Sequence, residues 1–158
     1  MIKALLFFLI LITDQYTKHL AHTRLQEGVP IEIVPDFFNF TLVYNPGAAF
    51  GMFSGLPDPY RRIVLLSVSV IALGVVFKLL FKDAKDDTFS QYILIAILAG
   101  AIGNIIDRFR YDRVVDFLDV YYKQYHWPAF NIADSAISVG VCMLLLKMFL
   151  DKKEEISA

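Results

Sequence analysis

The chain has 158 residues, of which 57% are hydrophobic, with a mean hydropathy of +0.55; that is too apolar for one small water-soluble core to hide, and it points to a membrane protein. The net charge is −1 and lysines and arginines are scattered without blocks, so there is no electrostatic footprint for nucleic acid. A single cysteine, Cys142, lies inside an apolar run, which excludes intrachain disulfides and thiolate metal clusters and reads as a packing residue.

Crossing a bilayer takes about 20 mostly apolar residues, and four stretches approach that length, over about 1–20, 60–81, 88–106 and 130–150. The first opens with ALLFFLILI and continues into DQYTKHL. Lys3 and the short apolar core also fit a signal peptide, but no small-x-small cleavage site follows, so a retained spanning helix is expected. The first connection, about 21–59, contains IEIVPDFFNFTLVYNPGAAFG. It predicts two short strands, Ile31–Val34 and Phe37–Tyr44, broken at Pro35-Asp36 and closed by Asn45-Pro46-Gly47. Gly28, Gly47, Gly51 and Gly55 are candidate hinges there, on the weak signal that loop glycines give.

The second span carries one lysine near its end, Lys78, placed to snorkel. In the third, LAGAIGN sets Ala96, Ala99, Gly100 and Gly103 at helical spacing, so a neighbouring helix can come close. The second connection, about 107–129, has Tyr111, Tyr121, Tyr122, Tyr125 and Trp127 among charges, a headgroup-level composition that predicts a helix or loop lying along the surface. The fourth span contains Asp134 and Lys147. The resulting expectation is an all-α polytopic membrane protein, one domain over 1–158, with four transmembrane helices, a small β-element and a surface helix or loop.

With four spans both termini lie on one side and both connections on the other. The cations divide almost evenly, Lys3, Lys78, Lys82, Lys85, Lys147, Lys152 and Lys153 against Lys18, Arg24, Arg61, Arg62, Arg108, Arg110, Arg113 and Lys123, so the positive-inside rule does not set the orientation. All six arginines nonetheless fall on the side of the connections.

Ionisable groups at membrane depth cost at least a few kcal/mol each and need a partner, a cavity or chemistry. Asp14 and Lys18, four apart, share a helix face and read as an ion pair or bundle tether. Asn104, Asp107 and Arg108 close the third span as helical neighbours, able to turn toward one polar spot or simply to end the helix. Asp116, in RVVDFLD, is flanked by Val114, Val115, Phe117 and Leu118, a setting that raises a carboxyl pKa. Asp134 lies in the first turn of the fourth span, where free amide N–H groups favour negative charge. An N-cap role explains Asn131 more easily than Asp134, three residues further in.

Should Asp116 and Asp134 converge, two close carboxyls would share a proton, one acting as general base on water while the other polarises a carbonyl. That is aspartic-protease chemistry, and it calls for no metal and no cofactor. It suits a sequence without HExxH or GxSxG, whose histidines His19, His22 and His126 form no ligand spacing.

Taken in order, DQYTK at 14–18, YNPGAAFG at 44–51, GAIGNIIDR at 100–108, VVDFLD at 114–119 and FNIADSAI at 130–137 resemble the bacterial lipoprotein signal peptidase family, signal peptidase II. Each motif is short, but five in sequence over most of the chain are specific; Ala99, where the family often has glycine, departs only locally. The resemblance implies an intramembrane aspartyl endopeptidase with Asp116 and Asp134 as the catalytic pair. It implies that Asn45, Asn104, Arg108 and Asn131 orient substrate and pair, and that Asp14, Lys18, Gly47 and Asp107 support the site. The implied substrate is a diacylglyceryl-modified prolipoprotein, cut just before the lipidated cysteine. Membrane lipids and globomycin-type inhibitors, with a hydroxyl between the carboxyls, are implied as further partners, and a monomer is expected. The family also implies the bacterial cytoplasmic (inner) membrane, cytoplasmic termini, extracytoplasmic connections and a site near the outer leaflet, with the β-element cradling the peptide and a surface helix as lid.

Two other readings use the same acids. A proton- or ion-coupled transporter predicts mid-helix acids and an internal repeat, whereas these acids gather near one face and no repeat is visible. A noncatalytic membrane scaffold would tolerate Asp116→Asn with full function.

Overall fold

The computed structural model describes residues 1–47, 52–53 and 55–157, with side chains to residue 151; Gly51 and the AAF of the YNPGAAFG motif lie outside the described residues. Four long helices and four strands follow in the order α1 (Ile2–Arg24), β1 (Ile31–Val34), β2 (Phe38–Asn45), α2 (Asp58–Lys78, continued by a π-helical turn Leu79–Asp83), α3 (Thr88–Tyr111), β3 (Val114–Tyr122), β4 (Tyr125–His126) and α4 (Ile132–Ser157).

Local chemistry sets the helix ends. Pro59 in the first turn of α2 gives up an amide that has no helical partner anyway. Asp87 caps α3 by accepting the Ser90 N–H at 3.1 Å. Asp112, left-handed at φ 57°, closes α3.

Among the described residues three helices are long and apolar enough to cross a membrane, Asp58–Asp83, Thr88–Tyr111 and Ile132–Asp151. Half of the α3 window is buried in protein, against 6% for α2 and 11% for α4, which makes α3 the central helix. Leu5, Phe8, Ile63, Ile71, Met148 and Phe149 are exposed on the outer faces, as lipid-facing side chains would be. Cys142 is exposed as well, which corrects its reading as a packing residue. The second half of α1, DQYTKH, is polar, and α1 is not among the three apolar helices.

Small residues decide how closely the helices pack. A Cβ added at Gly100 would stand 2.5 Å from the Ala133 carbonyl oxygen of α4, and one at Gly103 would stand 2.5 Å from Asp14 Oδ2 of α1. Gly100 is therefore a point of close contact with the α4 backbone, and Gly103 leaves the room that the Asp14 carboxylate occupies.

The four strands make one antiparallel sheet in the order β1-β2-β3-β4. β1 forms over the expected residues and β2 is shifted by one. The second connection corrects the expectation of a surface helix or loop: Val114–Tyr122 is a nine-residue strand, so the fold is mostly helical with a sheet rather than all-α. Its β-branched and aromatic residues suit a pleated, half-buried surface, a composition that also fits the headgroup level. The decisive partner is distant, since β2 pairs Val43 with Asp116 and Asn45 with Val114. Ala21, Leu42, Val115 and Phe117 form the core joining the sheet to the end of α1. The sheet's central strand thus meets the end of α3 and the start of α4, where the polar residues gather.

Candidate active site

Asn131 stands immediately before α4 and is fully buried. Its Oδ1 accepts the Asp134 backbone N–H at 2.8 Å, the N-cap bond. Its Nδ2 donates to Asp116 Oδ1 at 2.7 Å and, at longer range, to the Val115 carbonyl at 3.2 Å and Asn104 Oδ1 at 3.3 Å. Asn104, buried on α3, donates from Nδ2 to Asp134 Oδ1 at 2.7 Å. From the end of β2, Asn45 Nδ2 donates to Asp116 Oδ2 at 3.1 Å. Asp116 and Asp134, 18 residues apart in the chain, are therefore tied to one pair of contacting carboxamides. Asp116 is only 1% exposed. Burial, then the nearby Asp134 charge, push its carboxyl up to about 7, against the pull of the Asn45 and Asn131 hydrogen bonds.

Beneath this pair lies a buried cation. Lys18 Nζ stands 2.9 Å from Asp14 Oδ2, 2.9 Å from Asp107 Oδ2 and 2.8 Å from Asn104 Oδ1, so each of its three N–H groups has an acceptor. Asp14 Oδ1 accepts the Ala133 N–H of α4 at 2.8 Å, and Asp107 Oδ2 accepts the Val115 N–H of β3 at 3.1 Å. Asp14 and Lys18 of α1 are thus paired with each other and tied to α3, β3 and α4. Gln15 completes the cluster, donating to Asp107 Oδ1 at 3.1 Å and the Gly103 carbonyl at 3.1 Å. Sequence reasoning missed Gln15; the one available signal was an amide next to Asp14 and one turn before Lys18.

Arg108 reaches the first connection, with Nη2 at 3.3 Å from the Gly47 carbonyl and Nη1 at 3.4 Å from that of Asn104. Gly47 is buried and its N–H is accepted by Asn45 Oδ1 at 2.9 Å. Asn45, Asn104, Arg108 and Asp134 line one end of a cavity of ≈ 560 Å³, whose walls come from α2, Trp127, Phe130 and α4. Asp116 is not part of the lining but is hydrogen-bonded to Asn45, which is. All ten residues singled out in the sequence meet in this region. The histidines do not: His126 Nδ1 sits 2.9 Å from Asp119 Oδ1 and His22 contacts Tyr44. Among the described residues no group of three or more His, Cys, Asp or Glu is arranged to hold a metal ion.

Two linked carboxyls, one buried in a strand and one at a cavity wall between apolar helices, form the candidate acid–base centre of a protein whose long apolar helices suit a membrane. The chain belongs to the signal peptidase II family, matching the model described as Signal peptidase (SPase) II over residues 6–150. It is 45% identical over 160 residues to the lipoprotein signal peptidase of Syntrophus aciditrophicus (strain SB), covering 97% of this chain and 98% of that one. To the lipoprotein signal peptidase of Geobacter metallireducens (strain ATCC 53774 / DSM 7210 / GS-15) it is 42% identical, covering 92% and 88%. Among solved structures, a bacterial membrane enzyme determined by the in meso method at 2.3 Å resolution superposes with a TM-score of 0.86 at 32% identity, over 96% of this chain and 90% of that one. The protein is a membrane protease of the signal peptidase II type.

Proposed function

We propose that this protease removes the signal peptide from diacylglyceryl-modified prolipoproteins, cutting before the lipidated cysteine, with Asp116 and Asp134 as an aspartyl pair. The observation that carries the reading is the bridging of both carboxyls by the Asn104 and Asn131 amides. The pair shares one proton, and burial favours its residence on Asp116. Asp134, at the cavity wall, takes a proton from water as that water attacks the scissile carbonyl, while the protonated partner donates to the carbonyl oxygen. The resulting gem-diol collapses as a carboxyl proton passes to the leaving nitrogen. A low-dielectric site strengthens every hydrogen bond to that intermediate. Asn45, Asn104, Arg108 and Asn131 orient the pair and the substrate; Asp14, Lys18, Gly47 and Asp107 hold the frame.

In this reading residues 1–158 form one domain that works as a monomer in the bacterial cytoplasmic (inner) membrane. α1 is the fourth span, made tolerable there by the neutralisation of Asp14 and Lys18. Both termini are cytoplasmic and the carboxyls lie near the outer leaflet, where a lipidated substrate presents its bond. The sheet cradles the peptide. Globomycin-type inhibitors bind with a hydroxyl between the carboxyls.

Purified protein, a diacylglyceryl-modified preprotein and the variants Asp116→Asn and Asp134→Asn provide the test. Each variant is expected to lose cleavage while unfolding cooperatively in detergent like the parent. Turnover retained by either one removes the pair assignment, and ion flux without cleavage favours a proton relay instead.

A further inference from the structure

The segregation of all six arginines to the side of the connections is not explained by proteolysis. Four of them, Arg61, Arg62, Arg108 and Arg113, line a second cavity of ≈ 580 Å³ between the start of α2 and the end of α3. Two carboxylates share that wall, Asp58 and Asp112, and each is paired, Asp58 with Arg61 and Asp112 with Arg62. Arg108 spends its N–H groups on the Gly47 and Asn104 carbonyls. Arg113 is exposed and has no carboxylate partner among the described residues. The wall therefore holds four guanidiniums against two carboxylates.

Further along α2 the lining turns apolar at Leu65 and Leu66, and Phe109 adds an exposed ring beside Arg108. Leu65 lies two turns into α2, about 10 Å from Asp58 along the axis. Both helices are long and apolar enough to cross a membrane, and this cleft sits where their ends meet, so its rim is at headgroup level and its floor faces hydrocarbon. Guanidinium forks match phosphate oxygens two at a time, which an ammonium does not. That preference suits this wall, which carries four arginines and no lysine.

We propose that the cleft binds an anionic glycerophospholipid of the surrounding leaflet, its phosphodiester held at the arginine rim and its acyl chains laid over Leu65, Leu66 and Phe109. The cleft shares Leu65 and Arg108 with the ≈ 560 Å³ cavity, so the lipid stands beside the mouth of the candidate active site. The proposal requires only that the protein lie in a membrane and is independent of the peptidase reading.

Native mass spectrometry of the full chain released from detergent tests it, with phosphatidylglycerol, phosphatidylcholine, diacylglycerol and inorganic phosphate as separate probes. One phosphatidylglycerol is expected to be retained in preference to the other three. The double variant Arg62→Gln with Arg113→Gln is expected to weaken that retention about tenfold, and Arg113→Gln alone, which breaks no ion pair and so leaves folding undisturbed, about threefold. Arg24→Gln, on the same side but outside the cleft, is expected to retain phosphatidylglycerol like the parent. Equal retention of diacylglycerol overturns the proposal in favour of a merely apolar groove, and inorganic phosphate binding as well as the lipid overturns it in favour of a free-anion site. Undiminished retention in Arg113→Gln, or an equal loss in Arg24→Gln, also overturns it.

Discussion

Asn131 holds Asp116 and begins the helix that carries Asp134: Nδ2 donates to Asp116 Oδ1 at 2.7 Å while Oδ1 accepts the Asp134 N–H at 2.8 Å. One carboxamide thus serves as helix cap and as carboxylate clamp, and the two duties are separable. Serine caps nearly as well but offers no donor of that reach. Asn131→Ser is therefore expected to cost about tenfold in kcat, the worth of one hydrogen bond, with a much smaller loss of thermal stability. Unchanged kcat would show that Asn131 only caps.

Lys18 is 3% exposed, with Asp14 and Asp107 each 2.9 Å away. Replacing it with methionine leaves two buried carboxylates without their cation, so Lys18→Met is expected to destabilise the fold by about 3–5 kcal/mol. Adding Asp107→Asn to that variant should recover part of the loss. Thermal unfolding in detergent reads both, and an unaltered transition in Lys18→Met would refute the buried-cation centre.

Glycines of α3 and α2 should respond oppositely to the same change. A Cβ at Gly100 meets the backbone oxygen of Ala133 at 2.5 Å, whereas one at Gly74 in α2 meets nothing within 4 Å. Gly100→Ala is expected to cost about 1–3 kcal/mol as α3 and α4 are forced apart. Gly74→Ala is expected to gain about 0.5–1 kcal/mol from helix propensity. Equal responses at the two sites would contradict the close α3–α4 contact.

The raised carboxyl of Asp116 links stability to pH. Its folded value of about 7 exceeds the unfolded value of about 3.9, so between the two the folded state binds more protons. Its stabilising contribution is full below about pH 4 and is lost as pH rises through about 7. Unfolding temperatures measured across that window should fall with pH in the parent, and Asp116→Asn should flatten the slope. An identical slope in the variant would assign the effect to other groups.

Arg108 joins the end of α3 to the first connection through Gly47, at 3.3 Å. Removing it leaves Asp116 and Asp134 on their own partners. Arg108→Ala is therefore expected to weaken turnover by about tenfold, the worth of one charge-assisted hydrogen bond, without abolishing it. Steady-state kinetics check this, and parental kcat and KM together would show that the link is not used.

Whatever rests on neighbours along the chain was legible in the order of the amino acids. Apolar runs marked α2, α3 and α4, i,i+4 spacing paired Asp14 with Lys18, and the FNIAD stretch placed the start of α4 after Asn131, because helix periodicity and capping are local. Tertiary structure alone decided that Val114–Tyr122 is a strand, since its partner β2 lies some 70 residues earlier in register, and the same aromatic composition also fits a membrane surface. It decided, too, that Asp116 and Asp134 share the Asn104 and Asn131 amides, that Asp107 closes on Lys18, and that Gln15 belongs to the site. Contacts of that kind carry no period in the sequence; they exist only once glycine-lined helices and a cross-chain sheet bring remote segments within hydrogen-bonding distance, where burial makes each unpaired polar group too costly to leave.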